Sequence, residues 1–135
     1  RDVYQSVLNC LKEGSKLLKP GVLSKDYEKQ MASLVENELI ELGLITRKEI
    51  ANQNPDSPVY KKYFMHGTAH YLGLDVHDVG LYSRPFEKGM VLTCEPGIYI
   101  PEEGIGCRLE NDYLLTENGN FNLTAALPIE IDEIC

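Results

Sequence analysis

All three histidines of the chain, His66, His70 and His77, fall in the short segment MHGTAHYLGLDVHDVG. A single histidine is more often structural than a ligand, but three together with none elsewhere form a cluster. Imidazole can hold a metal, shuttle a proton or donate a hydrogen bond to substrate. Downstream, VLTCEPGIYI and GCRLENDYLLT read as the two arms of a hairpin turning at Glu102 and Glu103. In a symmetric register Ile100 faces Ile105, Gly97 faces Arg108, and Glu95 faces Glu110. Like charges directly opposed on a sheet destabilise it. A solvated edge would tolerate them, but the flanking residues on both arms are apolar, which favours a cation between the two carboxylates. Imidazole nitrogen with carboxylate oxygen suits zinc, manganese, iron or cobalt better than a thiolate site would. Pro96 is a candidate bulge that would shift this register.

His66 and His70 share a parity, so an extended segment puts them on one face. His77 has the opposite parity and needs the bend at Gly73 to reach the same cavity. At most one or two of the three need be ligands; the others are free to act on substrate.

The elements that must position these groups divide into helices and strands. Val3, Val7, Leu8, Leu11, Leu17 and Leu18 follow a helical period that Lys19-Pro20-Gly21 stops. Ser24 is the expected N-cap of a second helix. Tyr27, Met31, Leu34, Val35, Glu38, Leu39 and Leu42 place an apolar stripe on it, and Gly43 closes it. Residues 48–52 add a helical turn, and Asn54-Pro55-Asp56-Ser57-Pro58 makes a loop. From Tyr60 onward β formers dominate. The histidine segment itself reads as a strand bent at Gly67 and Gly73. Helices first and antiparallel strands after imply an α+β domain, with the helices packed on one face of the sheet.

The 135 residues fit one globular domain, at 43% hydrophobic and 25% charged. A formal net charge of -8 argues against nucleic acid or an anionic membrane as partner. No apolar run approaches the ~20 residues that cross a bilayer, and no signal peptide is visible. Arg1 lies directly inside a helical pattern, so the chain reads as a piece of a longer protein. Cys10, Cys94, Cys107 and Cys135 show no CxxC spacing and read as free thiols, which implies a reducing, cytoplasmic setting. The hairpin register sets Cys94 against Asn111 and Cys107 against Ile98, which argues against a disulfide between the two arms.

Together HGTAHYLGLDVHD, VLTCEPGIYI and GCRLENDYLLTENGNFNLT resemble the C-terminal half of the catalytic domain of Xaa-Pro aminopeptidases. This is the aminopeptidase P branch of the pita-bread metallopeptidases. The helical stretch VLNCLKEGSKLLKPG also looks like that family, so the resemblance spans nearly the whole chain. Ala69 stands where Ser or Gly is often seen, and it too is small. The resemblance implies two divalent ions, commonly manganese, with cobalt and zinc as alternatives. It assigns His70, Glu95 and Glu110 as metal ligands, Glu110 bridging the ions and Glu95 doubling as general base. It makes His66 and His77 the histidines that contact substrate, and Arg108 the arginine that supports the site.

The family's two remaining metal ligands are aspartates of the N-terminal half. Asp2 and Asp26 sit in helical contexts and cannot replace them. Residues 1–135 are therefore expected to be the C-terminal part of the catalytic domain, with an incomplete and by itself inactive site. The implied partners are a peptide with proline at its second position, the missing N-terminal half and a second copy in a homo-oligomer. Prolidase, which cleaves Xaa-Pro dipeptides, and a non-catalytic pita-bread binding module are the alternatives. Methionine aminopeptidase fits worse because it lacks the HYLGLDVHD form.

Overall fold

A computed structural model describes residues 1–134; the expected free thiol of Cys135 lies outside the described residues. Three helices come first: α1 (Asp2–Leu17), α2 (Ser24–Glu41) and the short α3 (Arg47–Ala51). The strands β1 (Val91–Cys94), β2 (Gly97–Ile100), β3 (Ile105–Arg108), β4 (Asn111–Leu115) and β5 (Asn120–Asn122) follow, and a helical turn α4 (Ile131–Ile134) comes last. The fold is α+β, as expected.

Both long helices carry an apolar face inward. On α2, Tyr27, Met31, Val35 and Leu39 are fully buried at helical spacing, and on α1 Val7, Leu8 and Leu11 are buried. Burying each such side chain contributes at most about 1.5–3 kcal/mol. Gly14 lets the two helices approach, since a Cβ there would collide with the Met31 sulfur. Gly43, at φ 72°, ends α2 in a Schellman turn. Its N–H donates to Ile40 O at 2.9 Å, and Leu44 N–H donates to Leu39 O at 2.9 Å.

Ser24 is not the N-cap. Leu23 takes that position in an extended conformation, paired with Pro85, so Ser24 is already the first helical residue. The turn expected at 48–52 is α3, and Thr46 and Glu49 close a capping box on it.

The hairpin has the symmetric register, but as two ladders. β1 pairs with β4 from Val91↔Leu114 to Cys94↔Asn111. β2 pairs with β3 from Gly97↔Arg108 to Ile100↔Ile105. One register runs through both, so Pro96 interrupts the ladder without shifting it. The physical reason is local. Pro96 has no N–H to give, its carbonyl still accepts from Leu109 N–H at 3.2 Å, and the Glu95 N–H turns away to Thr68 O at 2.8 Å. β5 adds to β4, giving a three-stranded sheet β1-β4-β5 beside the two-stranded β2-β3. Leu92, Cys94, Ile98, Ile100, Tyr113 and Leu115 join the helical stripe in one core. Cys10, Cys94 and Cys107 are free thiols, and Cys94 and Cys107 face Asn111 and Ile98 as expected.

The histidine segment is not the regular strand its composition suggests. It makes one isolated bridge, Tyr71↔Leu92. It nevertheless runs antiparallel beside β1, with Leu72 N–H on Val91 O (3.1 Å) and Thr93 N–H on His70 O (3.0 Å). Side chains interrupt the regular pairing: His70 N–H donates to Thr93 Oγ1 at 3.1 Å, and Thr68 N–H to the carboxylate of Glu28 at 3.0 Å.

Candidate metal centre

The break in the hairpin is where the chemistry gathers. One ligand atom each from His70, Glu95 and Glu110 lies within 4.8 Å of the others. Glu95 and Glu110 flank the interrupted ladder on facing arms, and His70 comes from the segment hydrogen-bonded to β1. Thr93 Oγ1 sits between two of them, accepting from His70 N–H and donating to Glu95 Oε1 at 3.4 Å.

The protonation pattern of His70 bears on a cation. Its Nδ1 lies 2.9 Å from Tyr71 O, so Nδ1 carries the hydrogen and donates it. In the neutral ring, Nε2 then presents a bare lone pair 3.1 Å from Glu95 Oε1. Two acceptors face each other at that distance only if a positive charge sits between or on them. A second carboxylate, Glu110, is aimed at the same point. A histidine whose other nitrogen donates to a backbone carbonyl is the usual arrangement at a metal. The donor set therefore fits a divalent cation with nitrogen and oxygen ligands.

Partial burial at the rim pushes the Glu110 carboxyl above its usual value, and the Glu95 and Asp112 charges add to this; His70 and Arg108 act against it. Arg108 Nη1 lies 3.4 Å from Glu95 Oε2 and partly compensates the buried Glu95.

The other histidines border the same space. His77 is exposed, and its ring centroid lies 4.2 Å from that of His70, so the bend in the segment overcomes its opposite parity. His66 Nδ1 donates to Gly67 O at 2.8 Å, leaving Nε2 to accept from Tyr99 OH at 2.8 Å. His66, Ala69, His70, His77, Glu95 and Arg108 all line one cavity of about 220 Å³. Larger clefts of about 560 and 550 Å³ lie elsewhere, the first between Leu44 and Tyr63, the second between α1 and β4. Neither assembles such a donor set, so size is not the guide to the site here.

Sequence reasoning missed Tyr99, Thr93 and Glu28. Thr93 was detectable, being a polar residue on an apolar strand with the same parity as Glu95. Glu28 had no signal, because it reaches the site across 40 residues of chain.

A model of metallopeptidase family M24 matches residues 1–117. The chain belongs to this family. It is 41% identical to the Xaa-Pro aminopeptidase of Haemophilus influenzae over 146 residues, covering 99% of this chain and 34% of that protein. Among solved structures, aminopeptidase P from Escherichia coli with the inhibitor Pro-Leu superposes with a TM-score of 0.87 at 40% identity, over 99% of this chain and 33% of that one. The zinc-substituted form of the E. coli enzyme, in complex with product, matches with the same figures. The chain thus spans about a third of the length of the relatives it matches. No helix among the described residues is long and apolar enough to cross a membrane.

Proposed function

We propose that this chain is the C-terminal part of the catalytic domain of an Xaa-Pro aminopeptidase, which hydrolyses the bond between an N-terminal residue and a following proline. The observation that carries this reading is the convergence of His70 Nε2, Glu95 and Glu110 on one point. Family membership and the 41% identity support it.

In this reading His70, Glu95 and Glu110 hold divalent ions, two of them and manganese by preference. Two further carboxylates come from the rest of the protein. Bound there, such cations supply nucleophilic water at neutral pH by lowering its pKa. The chain's own groups do the remainder. Tyr71 O fixes the His70 tautomer so that Nε2 is always the ligating atom. Glu95, 8% exposed, takes a proton and passes it toward the leaving prolyl nitrogen. Arg108 holds the second Glu95 oxygen, so that carboxylate keeps one orientation through the transfer. His77, exposed beside His70, donates a hydrogen bond to the substrate carbonyl as charge develops on it. His66, steadied by Tyr99, borders the space for the proline ring. The partners in this reading are the peptide, the remainder of the same protein and a second copy of it.

The test is peptide cleavage by the full-length protein with and without manganese. Release of the N-terminal residue from an Xaa-Pro-Yaa tripeptide, abolished by chelation and restored by manganese, is the expected result. Cleavage of the Xaa-Pro dipeptide alone would make it a prolidase. No metal-dependent cleavage of either would leave a non-catalytic domain.

A further inference from the structure

Glu28 lies on α2, outside every motif that singles out the site. Its carboxylate crosses to the histidine segment and accepts four hydrogen bonds there. Thr68 N–H approaches Oε1 at 3.0 Å and Oε2 at 3.2 Å; Thr68 Oγ1 donates to Oε2 at 3.2 Å, and Ala69 N–H to Oε1 at 3.3 Å. Glu28 has no Lys or Arg partner within ion-pair distance among the described residues. A half-buried carboxylate without a cation is costly, and these donors are what offset its desolvation.

The position of those bonds gives them their consequence. Thr68 is fully buried and lies midway between His66 and His70. Its N–H and hydroxyl are held by Glu28, while its carbonyl accepts the Glu95 N–H at 2.8 Å. One residue therefore couples Glu28 to Glu95 and to both flanking histidines. In place of ladder acceptors, Glu28 takes up the N–H groups of Thr68 and Ala69.

We propose that Glu28 is a positioning residue: by clamping Thr68 and Ala69 from α2 it sets the placement of His66, His70 and Glu95. This rests on the peptidase reading for its effect on rate, but its structural content does not. The experiment uses the full-length protein with Glu28→Ala and the near-isosteric Glu28→Gln, and Glu41→Ala on the exposed face of α2 as control. Two readouts are taken: steady-state cleavage of an Xaa-Pro-Yaa peptide, and hydrogen exchange of individual amides.

Glu28→Ala is expected to lower kcat by about 10–100-fold, the range for supports of metal ligands, with KM changed less than about threefold. Exchange should accelerate at Thr68 and Ala69, and also at Glu95, whose N–H Glu28 never touches. Glu28→Gln, keeping one acceptor oxygen, should fall between wild type and Glu28→Ala in both readouts. Glu41→Ala should match wild type. If the wild type cleaves no peptide, the peptidase reading falls, and the Glu95 amide alone then decides whether Glu28 positions the site. Unchanged exchange at Glu95 in both Glu28 variants overturns the proposal. So does acceleration spread evenly over α2 and the core, which marks a merely structural residue. Unchanged kcat in an active enzyme overturns it too.

Discussion

Removing one of the opposed carboxylates should stabilise the chain when no metal is bound. In Glu110→Gln the side-chain shape is kept and the charge is lost. The Glu95 and Glu110 ligand atoms lie within 4.8 Å. Two unit charges at 4.8 Å repel by about 3.5 kcal/mol at an effective dielectric of about 20, and by about 0.9 kcal/mol in water. Glu110 is exposed at the rim, so solvent screening brings the term toward the lower figure. Arg108 and His70 offset part of what remains. The net gain expected on Glu110→Gln is therefore at most about 1 kcal/mol, a rise of no more than roughly 3–5 °C in Tm for a domain of this size.

The pH dependence follows from linkage. Glu110 holds its proton more tightly in the folded state, so its ionisation costs stability as the pH climbs from the unfolded carboxyl value through the folded one. The advantage of the variant should therefore be present at pH 7 and vanish near pH 4. Urea denaturation in chelator at both pH values, at low and high salt, measures this, and salt should shrink the difference. In the full-length protein, where the remaining ligands are present, added manganese should reverse the order, because a ligand that binds only the folded state stabilises whichever protein holds it. If Glu110→Gln is neutral or destabilising at pH 7 in chelator, the carboxylates do not repel and the argument from opposed charges is wrong.

Gly80→Ala would drive a Cβ into the ring of Tyr71, which is held by the core; a loss of about 1–3 kcal/mol is expected, read as a lower urea midpoint with the slope unchanged. Burial raises the thiols of Cys10 and Cys94 to about 12, so only about 1 in 10⁴ of either is thiolate at pH 8. Peptide mapping after iodoacetamide at pH 8 should find both unmodified in the native protein and alkylated in urea. Rapid native alkylation of either would mean that the core opens there.

The helices and the hairpin were legible in the sequence because their determinants are local. The stripe of Tyr27, Met31, Val35 and Leu39 repeats at helical spacing, and Gly43 ends it. The hairpin register followed from symmetry about Glu102 and Glu103, and with it the confrontation of Glu95 and Glu110. Family resemblance named His66, His70, His77 and Arg108 besides, and all four line one cavity with Glu95. Local reasoning failed where backbone groups find partners far along the chain. The histidine segment has strand composition, yet the amides of Thr68, Ala69 and His70 go to the side chains of Glu28 and Thr93. Parity separated His77 from His70, yet the bent segment brings their rings to 4.2 Å. Leu23, tied to Pro85, displaced Ser24 from the cap. The amino-acid order by itself determined which groups could do chemistry and which strands would face each other, since periodicity and turn chemistry act over a few residues. Only the tertiary structure decided that Pro96 would break the ladder without shifting it, and that a carboxylate on α2 would take up the Thr68 and Ala69 amides. Those outcomes depend on where the unpaired N–H groups of a broken strand can find acceptors, and that is settled by packing of segments far apart in the chain.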